Sequence, residues 1–181
     1  MTKVYLAHAI STKGEFTDSI RVADEIRSLG FEVYAAAENS DINDKSNDPT
    51  PQDIYEADVS EILSSDILVV NVSGGHQDGT ISEVGLVAGI NECTVVLNEF
   101  DKDFEHMPII AYTSNARLLQ PQHFRGMSSA SANHFVLGMI EKWGEFVGSE
   151  DDMLTELGRI KAPQDYYSSE LEGVMTVDDV F

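Results

Sequence analysis

The chain of 181 residues is 42% hydrophobic, enough for one globular domain with a core of its own. Eleven Lys and Arg against 32 Asp and Glu leave a formal charge of −21, which repels nucleic acid polymers and anionic membranes. The apolar runs fall short of the ~20 residues that cross a bilayer, strand-like residues follow Met1 at once where a secretory signal needs a basic and an apolar stretch, and the lone Cys93 excludes a disulfide framework and fits a reducing cytoplasm.

Lys3 to Ala7 (KVYLA) predicts a short strand. Glu15 to Leu29 predicts a helix, with Phe16, Ile20, Ala23 and Ile26 at helical spacing and Gly30 as its stop. Phe31 to Ala35 predicts a second strand, followed by a polar loop, ENSDINDKSNDPTP, whose length marks it as functional or mobile. Pro51 opens a helix to about Ser64, and Asp66 to Val72 is a nearly continuous apolar strand, as a central strand covered on both faces would be. A glycine-bearing turn, SGGHQDGT, leads into a helix from about Ile81 to Ile90 and then a strand from Thr94 to Leu97. The alternation implies an α/β fold, a flavodoxin- or Rossmann-like doubly wound parallel sheet of about five strands flanked by helices. Residues 98 to 132 carry no clean periodicity. Beyond them Asn133 to Trp143 reads as a helix, Glu145 to Val147 as a short edge strand, and Ser149 with Asp152 as a capping box for a helix to about Ile160. The result is one domain over residues 1–160 and an acidic tail over 161–181, in which Tyr166, Tyr167, Leu171, Val174, Met175 and Phe181 interleave with acids and which reads as solvated.

Ligands of an open parallel sheet sit beyond the carboxyl ends of its strands, so AHAIS, the polar loop and SGGHQDGT are the segments to search. Gly74, Gly75 and Gly79 allow close backbone approach before a helix start that favours anions, and they serve a plain turn equally well. The segment is neither a Walker motif nor GxGxxG. Glu83, flanked by Ile81, Val84 and Val87, lies near the crevice; it also fits a first-turn acid that complements the helix dipole. Asp58 interrupts the row Ile54, Asp58, Ile62, where burial would raise its pKa as a proton donor needs; a structural Asp bonded to a backbone N–H fits the same position. Asp66, at the amino end of its strand, reads as structural. His8, His76, His106, His123 and His134 lack the pairing of a helical zinc site, and there is no GxSxG elbow. His8 and His76 are candidate binding groups in the crevice.

The KVYLA strand with Tyr5, the AEN and INDKS loop, the Asp58 helix before DILVV, DGTISEVG with Glu83 and NHFVLGMI with Asn133 together resemble the nucleoside 2-deoxyribosyltransferase family. The resemblance is close over residues 3–97 and looser over 133–157. It implies that Glu83 attacks C1′ of a 2′-deoxynucleoside with Tyr5 orienting it, and that Asp58 faces the base and protonates it as it leaves. It implies that an acid just before Gly79 contacts the sugar 5′-hydroxyl, and that Asn133 reaches into a neighbour's site, hence a homo-oligomer. The expected partners are a 2′-deoxyribonucleoside and a free nucleobase, with no metal or organic cofactor. Two carboxyls in opposed protonation states suit this chemistry, Glu83 ionised near helix N–H groups and Asp58 holding its proton.

Three departures from the family pattern bear on the site. Gln77 stands six before Glu83 where the family has an acid, and Asp78 follows it, so either takes the 5′-hydroxyl contact. His8 and Ala9 replace a glycine-containing turn, and residues 98–132 have no counterpart. A related branch that hydrolyses deoxynucleoside 5′-monophosphates has Ser in the places of Gln77 and Asn133; here Asp78 would repel a phosphate, which favours nucleosides. Two alternatives remain beside base exchange: an N-glycoside hydrolase of deoxynucleosides or their 5′-monophosphates, and a non-catalytic nucleoside or nucleotide sensor.

Overall fold

A computed structural model describes residues 1–73, 77–100, 104–116, 118–119, 122–124, 127–129 and 133–171 and, of residues 45, 122–124, 127–129 and 162–171, the backbone alone. The chain runs β1 (Lys3–Ala7), α1 (Lys13–Ser28), β2 (Glu32–Ala35), the single-turn α2 (Ser40–Asn43), α3 (Pro51–Leu63), β3 (Ile67–Asn71), α4 (Asp78–Asn98), β4 (Ile109–Tyr112), β5 (Gln122–Phe124), β6 (Met127–Ser129), α5 (His134–Trp143), β7 (Gly144–Gly148) and α6 (Glu150–Leu171). Five strands form one parallel sheet in the order β2-β1-β3-β4-β7, and β5 pairs with β6 in an antiparallel ribbon. This is the doubly wound α/β sheet that the alternating pattern predicts.

Local chemistry sets the element ends. Thr12 and Glu15 close a capping box on α1, and Thr50 with Asp53 does the same on α3, where Pro51 takes the first helical position that needs no N–H. Gly30 ends the first helical unit at φ 86°, a left-handed conformation that glycine adopts without strain. Side chains alternate along each strand, so Val4, Leu6, Val69, Ile110 and Tyr112 pack towards α1 and α6, while Tyr5, Ala7, Leu68, Val70, Ile109 and Ala111 pack towards α3, α4 and α5. At Gly144 a Cβ would lie 1.7 Å from the Ile109 carbonyl oxygen, so only glycine lets β7 start against β4.

Several boundaries differ from the sequence-based expectation: α2 lies inside the segment read as a polar loop, and α4 starts at Asp78 instead of about Ile81. Thr94 to Leu97 is not a strand but the last turn of α4, and the fourth strand of the sheet is Ile109–Tyr112. The Thr94 hydroxyl bonds back to the Ile90 carbonyl at 3.0 Å, while Val95, Val96 and Leu97 face outward at 41, 56 and 50% exposure. Buried Asn91 then clamps the incoming strand, donating to the Met107 carbonyl at 2.8 Å and accepting from its N–H at 2.9 Å. The merged α4 is, among the described residues, the one helix long and apolar enough by length and composition to cross a membrane, which the short apolar runs did not suggest. It packs as a core helix, with Val84 and Val87 fully buried. Finally, α6 runs on past Ile160 to Leu171; Val174, Met175 and Phe181 lie outside the described residues.

Candidate active site

β1 and β2 pair in a register that sets Tyr5 beside Tyr34, and their rings stack with centroids 5.2 Å apart. Both hydroxyls point at carboxylates brought in by the helices that cover this face. The Tyr5 hydroxyl donates to Oε1 of Glu83, on α4, at 2.7 Å. The Tyr34 hydroxyl donates to Oδ1 of Asp58, on α3, at 3.0 Å, and accepts a hydrogen bond from Nδ2 of Asn39 at 3.1 Å. Tyr5, Glu83 and Asp58 thus come together from three separate elements.

Burial dominates the electrostatics. It pushes the Glu83 carboxyl up to about 7, with the Asp58 charge adding to the rise and the Tyr5 hydrogen bond opposing it. Burial also raises Asp58; the hydroxyls of Tyr34 and Tyr5 hold it back, and the neighbouring Glu61 charge lifts it further. Tyr34 is pushed up to about 12 and Tyr5 lies well above the usual phenol range, both chiefly through burial, so each hydroxyl keeps its proton and acts as a donor. Among the described residues no Lys, Arg or His pairs with either carboxylate. The expectation that helix N–H groups keep Glu83 charged while Asp58 alone is lifted is corrected. Glu83 sits beyond the first turn of α4, where the dipole has faded, and desolvation prevails.

The remaining expected residues lie apart. Gln77 is buried at the N-cap of α4 with its carboxamide spent on the backbone: Oε1 accepts from Ser73 N–H at 3.1 Å and Nε2 donates to the Asn71 carbonyl at 3.0 Å. Asp78 and Gly79 are exposed in the first turn of the same helix. Asn133 is exposed and caps α5, accepting from Phe135 N–H at 2.8 Å. His8 turns to the opposite face of the sheet, where Nε2 lies 2.9 Å from Asn71 Nδ2 and 3.3 Å from Asp18 Oδ2. Gly74, Gly75 and His76 lie outside the described residues. Asp66 is structural, as read, accepting from Lys3 N–H at 2.7 Å. The sequence reading missed Tyr34 and Asn39. Asn39 stands in the quoted AEN motif and Tyr34 in the second strand, but neither was given a role, since the β1–β2 register that sets Tyr34 beside Tyr5 is a tertiary fact.

Comparison with known proteins bears on the family and the fold. No functionally curated protein matches the sequence. A solved structure, described as a conserved protein from Enterococcus faecalis V583, superposes with a TM-score of 0.69 at 25% identity, covering 88% of this chain and 99% of that one. The sequence profile described as Nucleoside 2-deoxyribosyltransferase matches residues 4–142, which span the whole cluster from Tyr5 to Glu83 and run on through most of α5, and the chain therefore belongs to the nucleoside 2-deoxyribosyltransferase family.

Proposed function

We propose that the protein exchanges the base of 2′-deoxyribonucleosides through a covalent deoxyribosyl intermediate on Glu83. The observation that carries this reading is the cluster itself: two partly buried carboxylates, one on the Tyr5 hydroxyl and one on the Tyr34 hydroxyl, the two tyrosine rings being stacked on each other. A glycosidic C1′–N bond breaks through an oxocarbenium-like state that a close carboxylate stabilises and traps. A carboxylate oxygen of Glu83 bonds to C1′ as the C1′–N bond breaks, and the electron pair leaves with the base. The reactive form of the coupled pair is the one with Glu83 ionised and the proton on Asp58, which gives it to that base, so that the base departs neutral. In the second half a free nucleobase attacks C1′, its N–H proton passes to the Asp58 carboxylate, and Glu83 is released. Tyr5 holds one Glu83 oxygen and so aims the other.

Water in place of the acceptor base makes hydrolysis a side reaction. With the Gln77 carboxamide already engaged, Asp78 is the acid left for the 5′-hydroxyl, and its charge selects nucleosides over 5′-monophosphates. The same reading includes a homo-oligomer with Asn133 completing a neighbour's site. It is supported by the exposure of Asn133 and of Phe135 (76%) beside a cavity of about 520 Å³ whose floor includes Gly85, Ala88, Gly89 and Gly138.

Incubation with deoxyinosine and adenine tests the proposal. Deoxyadenosine should accumulate, and quenching with deoxyinosine alone should leave a deoxyribosyl group on the Glu83 peptide. Free deoxyribose released at the same rate with or without adenine makes the enzyme a hydrolase; tight binding without turnover makes it a sensor.

A further inference from the structure

The proton donor is held by a hydrogen-bond chain whose direction is fixed from its far end. Asn39 caps α2, its Oδ1 accepting from Asp41 N–H at 3.2 Å, so its amide orientation is set and Nδ2 is the atom presented to Tyr34. Nδ2 can only donate, and its 3.1 Å bond occupies a lone pair of the Tyr34 oxygen. The Tyr34 proton is thereby turned onto Asp58 Oδ1 at 3.0 Å. We propose that Tyr34, aligned by Asn39, is the positioning residue for the proton donor: it fixes Asp58 Oδ1 as an acceptor and leaves the other oxygen to carry the proton that passes to the departing base.

This deepens the base-exchange reading and rests on it. The chain has a direct consequence for rate. When Asp58 gives up its proton, the Tyr34 bond becomes charge-assisted and stabilises the carboxylate left behind, so the donor releases its proton more readily. The Asn39 bond polarises the Tyr34 hydroxyl and strengthens that donation. The other groups bearing on Asp58 are the Tyr5 hydroxyl from β1, Glu61 on its own helix, which is paired with Lys3, and Glu83 from α4. The Tyr5 proton goes to Glu83 Oε1 at 2.7 Å, and Glu61 and Glu83 are acids, so Tyr34 is the group whose proton rests on Oδ1. The polar loop between β2 and α3 thus acquires a task, because Asn39 is its point of attachment to the site.

Two substitutions in the full chain test the lock. Tyr34→Phe keeps the ring and its stack on Tyr5 but removes the hydroxyl. Asn39→Asp keeps the oxygen that caps α2 but replaces the donor with an acceptor, drawing the Tyr34 proton away from Asp58. Carboxyl carbon NMR should show Asp58 titrating about one pH unit higher in both variants. With deoxyinosine and adenine, kcat should fall about tenfold, KM should stay within about twofold, and the basic limb of the kcat profile should move up in pH. An Asp58 titration unmoved in Tyr34→Phe, or a lower kcat on an unmoved pH profile, overturns the proposal; a shift in Tyr34→Phe but none in Asn39→Asp removes Asn39 from it. Absence of turnover in the unsubstituted protein would end the base-exchange reading alone, since the NMR titration still reports whether the lock exists.

Discussion

Two polar clusters occupy opposite faces of the same sheet and treat their carboxylates in opposite ways. On the α1 and α6 face, Arg21 holds Asp18, Glu25 and Glu150 at 2.7 Å each, and Asp18 also lies 3.3 Å from His8. On the α3 and α4 face, Glu83 and Asp58 meet tyrosine hydroxyls instead. The guanidinium offsets part of the charge of its three acids and ties α1 to α6, which is a structural use of charge. The hydroxyls orient their acids without supplying a positive charge, so burial is free to lift the affinity for protons. A cationic partner in the second cluster would hold both carboxylates in the charged form and take away the proton donor. In a chain of formal charge −21 many acids go without a cation; this pair is marked by burial against hydroxyl donors.

The comparison breaks most decisively at Glu83. Glu83→Ala should lower the base-exchange rate by at least about a thousandfold, measured with deoxyinosine and adenine, because the covalent path is lost. Asp58→Asn should cost about a hundredfold in kcat, as loss of a general acid does. It should cost much less with a nucleoside whose base leaves without protonation. An Asp58→Asn variant equally slow on both kinds of substrate would mean that Asp58 does not give a proton to the base.

The contrast also appears in stability. Glu83 has a folded-state value of about 7 against an ordinary 4.5, so the folded protein binds its proton more tightly than the unfolded chain does. Stability should therefore decline as pH rises from 4.5 to 7 and stay lowered above that. Glu83→Gln removes the group responsible. It should stabilise the protein by about 2 kcal/mol at alkaline pH, a figure reduced to allow for partial exposure, and by nothing once both states are protonated in acid. Denaturant melts of the two proteins across pH measure the difference. The same value sets the acid limb of kcat/KM, which should rise through about 7 as the nucleophile ionises.

Much of this was legible in the sequence where local signals and tertiary structure agree. KVYLA, FEVYA and the DILVV run are strands because β-branched and aromatic residues alternate or are covered on both faces, and Pro51 marked a helix start by its missing N–H. The pair Val95 and Val96 misled because β-branched residues favour strands, yet Val84, Val87, Asn91 and Thr94 continue one helical stripe against the core. IIAY was hidden because four residues behind Pro108 carry no period, and its place is set by Asn91 clamping Met107. Of the site, Asp58 and Glu83 stood out as acids near the crevice with a structural reading left open, and the family resemblance supplied Tyr5 and the roles of all three. Tyr34 and Asn39 were given no role, because theirs arise from strand register and from the folded loop.

The smallest effect belongs to the other face. Arg21 is 46% exposed at its side chain, so its pairs are screened, although its two-pronged bond to Glu150, at 2.7 Å on each arm, joins two helices. Arg21→Met should cost about 1 kcal/mol of stability in dilute buffer and less in high salt. Base exchange should not change, because the clusters differ in purpose. One physical route could make it change. His8 touches both Asp18 and Asn71; the Asn71 carbonyl accepts from Gln77; and Gln77 immediately precedes the helix that carries Glu83. If Arg21→Met shifts kcat or its pH profile beyond what the lost stability explains, that route is mechanically live and the sheet does not insulate its faces. An unchanged profile leaves His8 as an anchor at the end of β3, its nearly buried ring (5% exposed) bonded to Asn71.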